Sequence, residues 1–227
     1  EMLHPGTWSP FRDEYPEGKP DATVAELLGY TILRSDNNTT DILFDLLGGP
    51  AEVEKYITGL SIKDMAIVAD ERQMGNEGRL YDNWSTSASM VQLLEQFYTK
   101  KVLSEENTAF LLKLMIDTGT GMNRLKGLLP ASAIVAHKTG TSGANEEGIT
   151  AAVNDVGIIT LPNGKHLAIA VFVTNSKESF ETNEYIIALV AGAVWNHYAG
   201  PSKPAMRTVD LEDESRNRAV PLKIYES

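Results

Sequence analysis

The chain has 227 residues, of which 42% are apolar and 22% are charged, so it can bury a substantial core as a globular protein. It carries 20 Lys and Arg against 31 Asp and Glu, and the resulting net charge of -11 argues against nucleic acid as a partner. Because the sequence contains no Cys, it excludes disulfides, thiolate nucleophiles, zinc–thiolate sites and iron–sulfur clusters.

The sequence offers little for metal or membrane binding. Its 4 His residues lie far apart without the spacing of a metal-binding motif, so we expect no metal and no cofactor. The longest apolar run, residues 186–195, is too short to span a bilayer and predicts the buried face of a helix. The chain opens without Met or a signal-like segment, so we expect whatever preceded Glu1 to have been removed or never included.

The first half of the chain is predicted to be helical after an irregular start. Residues 1–20 are rich in proline and predict a loop. Apolar residues then repeat with helical spacing, which predicts helices over residues 21–28, 37–47 and 50–57, the first of them capped by its Asp. Residues 59–84 lose this period, and so long a loop inside a compact domain is usually functional.

The second half changes from helices to strands and back. Helices are predicted over residues 87–98 and 104–116. Three strands follow, two of them joined by an Asn-Gly hairpin, and a final amphipathic helix is expected to pack on this antiparallel sheet. The strands are predicted over residues 134–140, 151–161 and 166–174, and the helix over about 181–198.

This order of elements is typical of an α+β fold. We predict a mostly helical subdomain over residues 1–130, which includes the loop at about 59–84. The antiparallel sheet and its C-terminal helix follow over residues 131–199, and residues 200–227 are expected to form an extended tail.

Three places in the sequence carry residues suited to chemistry. Ser35-Asp36-Asn37 begins a predicted helix, Glu71 lies in the irregular loop, and Lys138-Thr139-Gly140 lies on a predicted strand. S-D-N and K-T-G are the second and third active-site elements of class A β-lactamases and penicillin-binding proteins. Each tripeptide alone occurs by chance, but both in this order and on these elements indicate a site.

The surrounding sequence resembles the PER/VEB-like branch of the class A serine β-lactamases from about Glu1 to Tyr198. The stretches that carry the resemblance are Thr7-Trp8-Ser9-Pro10, Tyr15-Pro16-Glu17-Gly18, Ser35-Asp36-Asn37-Asn38, Leu47-Gly48-Gly49, His137 to Gly143, Asn154 to Ile158 and Leu161 to His166. The resemblance implies a β-lactamase/transpeptidase-like fold, with an all-α subdomain beside an antiparallel sheet with packed helices.

The resemblance also implies a role for each motif residue. Ser35 and Lys138 would pass a proton to the departing ring nitrogen, with the ammonium also holding the substrate carboxylate. Glu71 would activate the water that releases the acyl group. The substrate-binding residues would be Asn37, Thr139, Gly140 and Thr141, the last of which supplies one half of the oxyanion hole.

Each of these residues also has an ordinary structural interpretation. Ser35 and Asp36 could simply cap a helix, and Asn37 could be a first-turn helix residue. Lys138-Thr139-Gly140 could be no more than a strand end. Asp70 and Glu77 are plain acidic residues that compete with Glu71 for the role of base.

The sequence departs from the common family pattern in two places. The loop reads Glu71-Arg72-Gln73-Met74-Gly75-Asn76 where the family has E-P-x-x-N, so either Gln73 or Asn76 would help to position the water. No Arg lies between Arg124 and Arg207, so the strands cannot supply the guanidinium that many class A enzymes direct at the substrate carboxylate.

The first element of the family, S-x-x-K, is absent, because no Ser in the chain has Lys three positions later. We expect the nucleophilic Ser, its helix and the first two strands to lie before Glu1, either missing or on a separate N-terminal segment. The chain alone is therefore predicted to be inactive.

The sequence predicts a periplasmic enzyme that hydrolyses a small-molecule β-lactam through a serine acyl-enzyme and gives antibiotic resistance. A non-catalytic penicillin-binding-like module and a peptidoglycan D,D-peptidase are the alternatives. The oligomeric state stays open.

Overall fold

The computed structural model describes residues 3–19, 21–75 and 79–199. Two predictions fall outside these ranges: the role of Asn76 and the extended tail over residues 200–227. Within the described part of the chain, no helix is both long enough and apolar enough to cross a membrane.

Four helices form the N-terminal half, and two of them differ from the prediction. They are α1 (Pro10–Glu14), α2 (Val24–Arg34), α3 (Asn37–Leu47) and α4 (Pro50–Gly59). Helix α1 lies in the predicted loop, where Ser9 caps a single short turn. Helix α2 is capped by Thr23 and not by Asp21. The Thr23 side chain accepts the Glu26 N–H, and the Glu26 side chain accepts the Thr23 N–H, which forms a capping box. The helix also continues past Leu28, since a single glycine at Gly29 is tolerated in a helix.

The loop over residues 59–84 contains short ordered elements that the sequence did not indicate. Strands β1 (Met65–Ala66) and β2 (Trp84–Ser85) pair antiparallel and bring its two ends together. Helix α5 (Glu71–Met74) lies between them. The side chain of Asn83 also holds the two ends of the loop together. Its carbonyl oxygen accepts hydrogen bonds from the N–H groups of Val68 and Ala69 at 2.8 and 3.0 Å.

The C-terminal half is a three-stranded sheet between helices. Helices α6 (Ser87–Tyr98) and α7 (Glu105–Asp117) precede strands β3 (Ile134–Thr141), β4 (Thr150–Thr160) and β5 (His166–Ser176), and helix α8 (Phe180–Ala199) closes the chain. The strands are antiparallel in the order β3-β4-β5, as predicted. The register pairs Lys138 with Val156 and Gly140 with Asn154.

The two faces of this sheet bury different cores. On one face, Val135 and Ile159 pack with Ile187 of α8. On the other face, Ala136 and Ile158 pack with Leu94 of α6 and Met115 of α7. The sheet is therefore a middle layer, and the predicted α+β class is confirmed. The division of the chain into domains at residue 130 stays a prediction.

Candidate active site

The Ser35-Asp36-Asn37 motif forms the tight turn between α2 and α3. Ser35 adopts a left-handed conformation (φ 55°, ψ 46°), which is uncommon outside glycine and clusters at functional sites. Asp36 is fully buried and accepts hydrogen bonds from the N–H groups of Thr39 at 2.9 Å and Phe11 at 2.7 Å. The helix-capping interpretation thus describes Asp36, whereas the Ser35 side chain makes a different contact.

Lys138 on β3 donates a hydrogen bond to the Ser35 side chain. Its Nζ lies 2.6 Å from Ser35 Oγ and 2.8 Å from the carbonyl oxygen of Thr139. Burial lowers the pKa of the Lys138 ammonium to about 8, although the carboxylates of Glu71 and Asp155 oppose this effect. The structure therefore brings two motifs 103 residues apart in sequence into one hydrogen bond.

Glu71 is the first residue of α5, and a buried carboxylate holds its backbone in place. Asp41 of α3 accepts hydrogen bonds from the N–H groups of Glu71 at 2.7 Å and Arg72 at 3.2 Å, and it pairs with the Arg72 side chain at 3.2 Å. Burial raises the pKa of the Glu71 carboxyl, Asp41 raises it further, and the Lys138 ammonium opposes both. Glu71 and Lys138 therefore interact electrostatically.

The predicted water-positioning residue Gln73 takes part in a helix cap. Asp70 accepts the Gln73 N–H at 2.8 Å, and Gln73 Oε1 accepts the Asp70 N–H at 3.1 Å. The side chain of Gln73 is exposed. Asp70, the acidic neighbour of Glu71, is thus occupied as a cap, while Asn76 and Glu77 lie outside the described residues.

The remaining substrate-binding candidates lie along the Lys138 strand and the start of α3. Asn37 Nδ2 donates to Thr7 Oγ1 at 2.6 Å. The hydroxyls of Thr139 and Thr120 lie 3.1 Å apart. Gly140 and Thr141 are exposed at the end of β3, so the strand is accessible there, and a Cβ on Gly140 would contact the Asn154 side chain at 3.7 Å.

The connection from α7 to β3 fits closely behind Thr139. Gly121 has a φ of +64°, and a Cβ at this position would lie 2.3 Å from Thr139 Cγ2. The Thr118 hydroxyl in the same segment donates to the carbonyl oxygen of Ile32 at 3.2 Å and lies 3.1 Å from the Thr120 hydroxyl. The segment therefore links the end of α2 to β3.

This connection also carries Arg124, a residue that the sequence analysis missed. Its guanidinium donates to the carbonyl oxygens of Gly140 at 3.0 Å and Asn154 at 2.7 Å, and to Thr141 Oγ1 at 2.6 Å. Glu184 of α8 accepts from Arg124 Nε at 3.1 Å. The strands supply no guanidinium, as noted from the sequence, but a loop behind them does. No local sequence pattern signals this contact.

A cavity of about 480 Å³ lies beside this cluster, between the loop over residues 59–84, α6 and the sheet. Apolar side chains such as Met65, Trp84 and Phe172 line it, and Ser35, Glu71 and Lys138 do not. The predicted site residues therefore lie outside this cavity, in the polar cluster at Lys138.

The cluster at the end of β3 contains the cations Lys138 and Arg124 and several hydroxyl groups, those of Ser35, Thr120, Thr139 and Thr141. The Glu71 carboxyl, whose pKa is raised, comes from α5. The Lys138 ammonium suits an anionic group such as a carboxylate, and Ser35 with Lys138 provides a route for a proton. Arg124 is buried and holds the end of the strand from behind. Within the described ranges, no group of three or more His, Cys, Asp or Glu residues is arranged to hold a metal ion.

The fold is shared with solved class A β-lactamase structures. The TLA-1 extended-spectrum β-lactamase superposes with a TM-score of 0.85 at 50% identity, covering 87% of this chain and 72% of that one. A class A β-lactamase from Bacteroides cellulosilyticus gives a TM-score of 0.85 at 41% identity, covering 88% of this chain and 72% of that one.

The sequence comparisons agree with the structural ones. The model of the beta-lactamase enzyme family matches residues 6–198. The chain is 48% identical to β-lactamase VEB-1 of Pseudomonas aeruginosa over 86% of its length, and 48% identical to extended-spectrum β-lactamase PER-1 of the same species over 82%. The chain therefore belongs to the beta-lactamase enzyme family, and the predicted resemblance is confirmed. It spans 66% of VEB-1 and 60% of PER-1, less than two thirds of either relative.

Proposed function

We propose that the whole gene product hydrolyses β-lactams through a serine acyl-enzyme. The observation that carries this proposal is the hydrogen bond of 2.6 Å from Lys138 Nζ to Ser35 Oγ, with Glu71 close enough to alter the pKa of the lysine. A proton donor pair on one side and a carboxylate base on the other are what acyl transfer to a cyclic amide and its hydrolysis require.

In the acylation step, the nucleophilic Ser bonds to the β-lactam carbonyl carbon and the ring C–N bond breaks. Ser35 gives its proton to the departing ring nitrogen and regains one from the Lys138 ammonium, and the proton released by the nucleophile restores that ammonium. The substrate carboxylate lies against Lys138, Thr139 and Thr141, with Arg124 behind them. The Thr141 N–H supplies one half of the oxyanion hole, and Gly140 allows the ligand to approach the strand. Asn37 offers its amide to the acylamino side chain of the substrate.

In the deacylation step, Glu71 accepts a proton from the hydrolytic water, whose oxygen bonds to the acyl carbon. The ester C–O bond to the nucleophilic Ser then breaks, and Glu71 returns the proton to that Ser. The raised pKa of Glu71 favours this role, because a carboxyl group of higher pKa has a carboxylate that accepts protons more strongly. Gln73 or Asn76 helps to position that water. The Gln73 amide oxygen accepts the Asp70 N–H, so the Gln73 amide NH2 is the group that would donate to the water.

The nucleophile has to come from outside these 227 residues, because none of their Ser residues has the S-x-x-K spacing of the family. We expect the 227-residue chain to be inert on its own, and measurable turnover by it would refute this assignment. The proposal includes a periplasmic location and a role in antibiotic resistance, both of which follow from the family resemblance.

Intact-mass spectrometry of the whole gene product mixed with a penicillin tests the proposal against its alternatives. A hydrolase gives an adduct of the penicillin mass that disappears as the drug is consumed. A D,D-peptidase gives an adduct that persists, and a non-catalytic binding module gives none. Either of the last two results would contradict the proposal.

A further inference from the structure

A buried pair of titratable side chains, His137 and Asp155, lies behind the Lys138 strand. Both residues are 0% exposed, and His137 Nδ1 lies 3.0 and 2.9 Å from the two oxygens of the Asp155 carboxylate. Gly157 is the residue directly opposite His137 in the sheet, and a Cβ there would lie 2.8 Å from His137 Cβ. The carbonyl oxygen of Ala136 would lie closer still, at 2.3 Å, so glycine at 157 allows the two strands to approach closely at this pair.

The surroundings of His137 decide where its proton lies. Among the described residues, its Nε2 is buried and has no hydrogen-bond partner. A protonated imidazolium would bury a charged N–H without an acceptor, which costs more than an unpaired lone pair of a neutral ring. The absence of an acceptor at Nε2 favours a neutral ring whose proton is on Nδ1 and is donated to the Asp155 carboxylate.

Asp155 connects this histidine to the loop that carries Arg124. Its Oδ2 also accepts the N–H of Leu125, the residue after Arg124, at 3.2 Å. The Arg124 guanidinium in turn holds Thr141 Oγ1 at 2.6 Å. A continuous set of hydrogen bonds thus runs from His137 through the loop backbone to the open end of β3.

We propose that His137 is a positioning residue: by donating its Nδ1 proton to Asp155, it keeps that carboxylate on the Leu125 amide and so fixes Arg124 against Thr141. This proposal rests on the proposed function for its effect on substrate, because Thr141 would face the β-lactam carboxylate and Arg124 holds Thr141 from behind. Its structural part concerns the chain alone.

A first measurement needs no variant. In the whole gene product labelled with ¹⁵N at histidine, NMR at neutral pH should show His137 Nδ1 as a protonated nitrogen and Nε2 as a bare one. A proton on Nε2, or on both nitrogens, would overturn the proposal.

Two substitutions then separate the position of the donor from the size of the side chain. His137→Asn places an amide N–H near the position of Nδ1 but leaves a void, whereas His137→Gln is closer in volume and places its N–H near the position of Nε2. If His137 only filled space, Gln would be the better replacement. If its Nδ1–H matters, Asn is the better one.

We expect His137→Asn to preserve the NMR signals of the Leu125 amide and the Arg124 Nε–H, and His137→Gln to shift both. In the whole gene product, His137→Gln should raise the KM for a cephalosporin about tenfold with a smaller change in kcat, and His137→Asn should stay within about threefold. Equal effects, or a milder effect of Gln, would contradict the proposal. The NMR results need no turnover, so an inactive wild-type gene product would refute the proposed function and leave this inference to be judged separately.

Discussion

Glu71 and Lys138 carry opposite charges at the candidate site, and burial disfavours the charged form of each. The base form of Glu71 is present only above a pKa that is raised from its ordinary value. The protonated form of Lys138 is lost as the pH rises through about 8. The active combination therefore occupies the range between these two values.

We predict a bell-shaped pH dependence of kcat/KM for the whole gene product, measured with a cephalosporin. The alkaline limb should fall near pH 8, where Lys138 loses its proton, and the acid limb should lie above the ordinary range of a glutamate. A profile that stays level from pH 7 to pH 10 would show that the charge of Lys138 has no role.

Replacing the base itself should separate the two chemical steps. In Glu71→Gln, acylation should continue and the acyl-enzyme should accumulate, with turnover lower by about 10²–10⁴-fold, the usual contribution of a general base. Intact mass and steady-state rates measure the two effects. Glu52→Gln, an exposed residue on α4, is the matched control and should behave as wild type. Loss of the adduct in Glu71→Gln would mean that Glu71 acts in acylation.

At the scale of elements, α3 and α5 are joined through Asp41, which caps the first turn of α5 from the side. This carboxylate is 1% exposed, and burial raises its pKa even though two N–H groups and Arg72 favour its ionised form. The same helix offers Asp45, which also approaches Arg72, at 3.6 Å, but is about half exposed.

We predict that Asp41→Asn lowers the free energy of unfolding by about 1–3 kcal/mol, because an amide cannot accept from both N–H groups as the carboxylate does. Removing the charge should also lower the pKa of Glu71 and move the acid limb of the pH profile to lower pH. Asp45→Asn should change the unfolding free energy by less than about 0.5 kcal/mol. Denaturant unfolding and the pH profile check both effects, and equal losses in the two variants would contradict this role of Asp41.

Regular elements were predictable because their signals are local. Helix α3 follows the apolar period of residues 37–47 and ends at Gly48, and the hairpin of β4 and β5 follows its Asn-Gly turn. Helix α1 and strands β1 and β2 were missed, since elements of two to five residues are too short to show a period.

The site divides in the same way. Ser35 and Lys138 were predictable because each belongs to a local tripeptide, and their contact follows from the fold. Three other contacts were not predictable, those of Arg124, Asp41 and Asn83. Each of these side chains makes hydrogen bonds with backbone groups that are distant in sequence or lie across a loop. Their residue types are common, and only the folded chain shows which groups they reach.

At the scale of the whole molecule, a chain with a net charge of -11 carries two cations, Lys138 and Arg124, in one local cluster. Lys138 and Arg124 are offset locally by Glu71, Asp155 and Glu184, so the overall charge does not describe the site. The length of the chain does not describe the extent of the family fold either. A chain of 227 residues is long enough for a domain, yet it spans less than two thirds of VEB-1 and PER-1. The chain carries the S-D-N and K-T-G motifs but no S-x-x-K.

Hydrolysis of a chromogenic cephalosporin by the whole gene product, measured beside Lys138→Ala and the 227-residue chain, tests the central claim most directly. The account predicts turnover by the whole gene product, its loss by at least about 10²-fold in Lys138→Ala, and none from the 227-residue chain. No turnover by the whole gene product with Glu71 and Lys138 intact would contradict it.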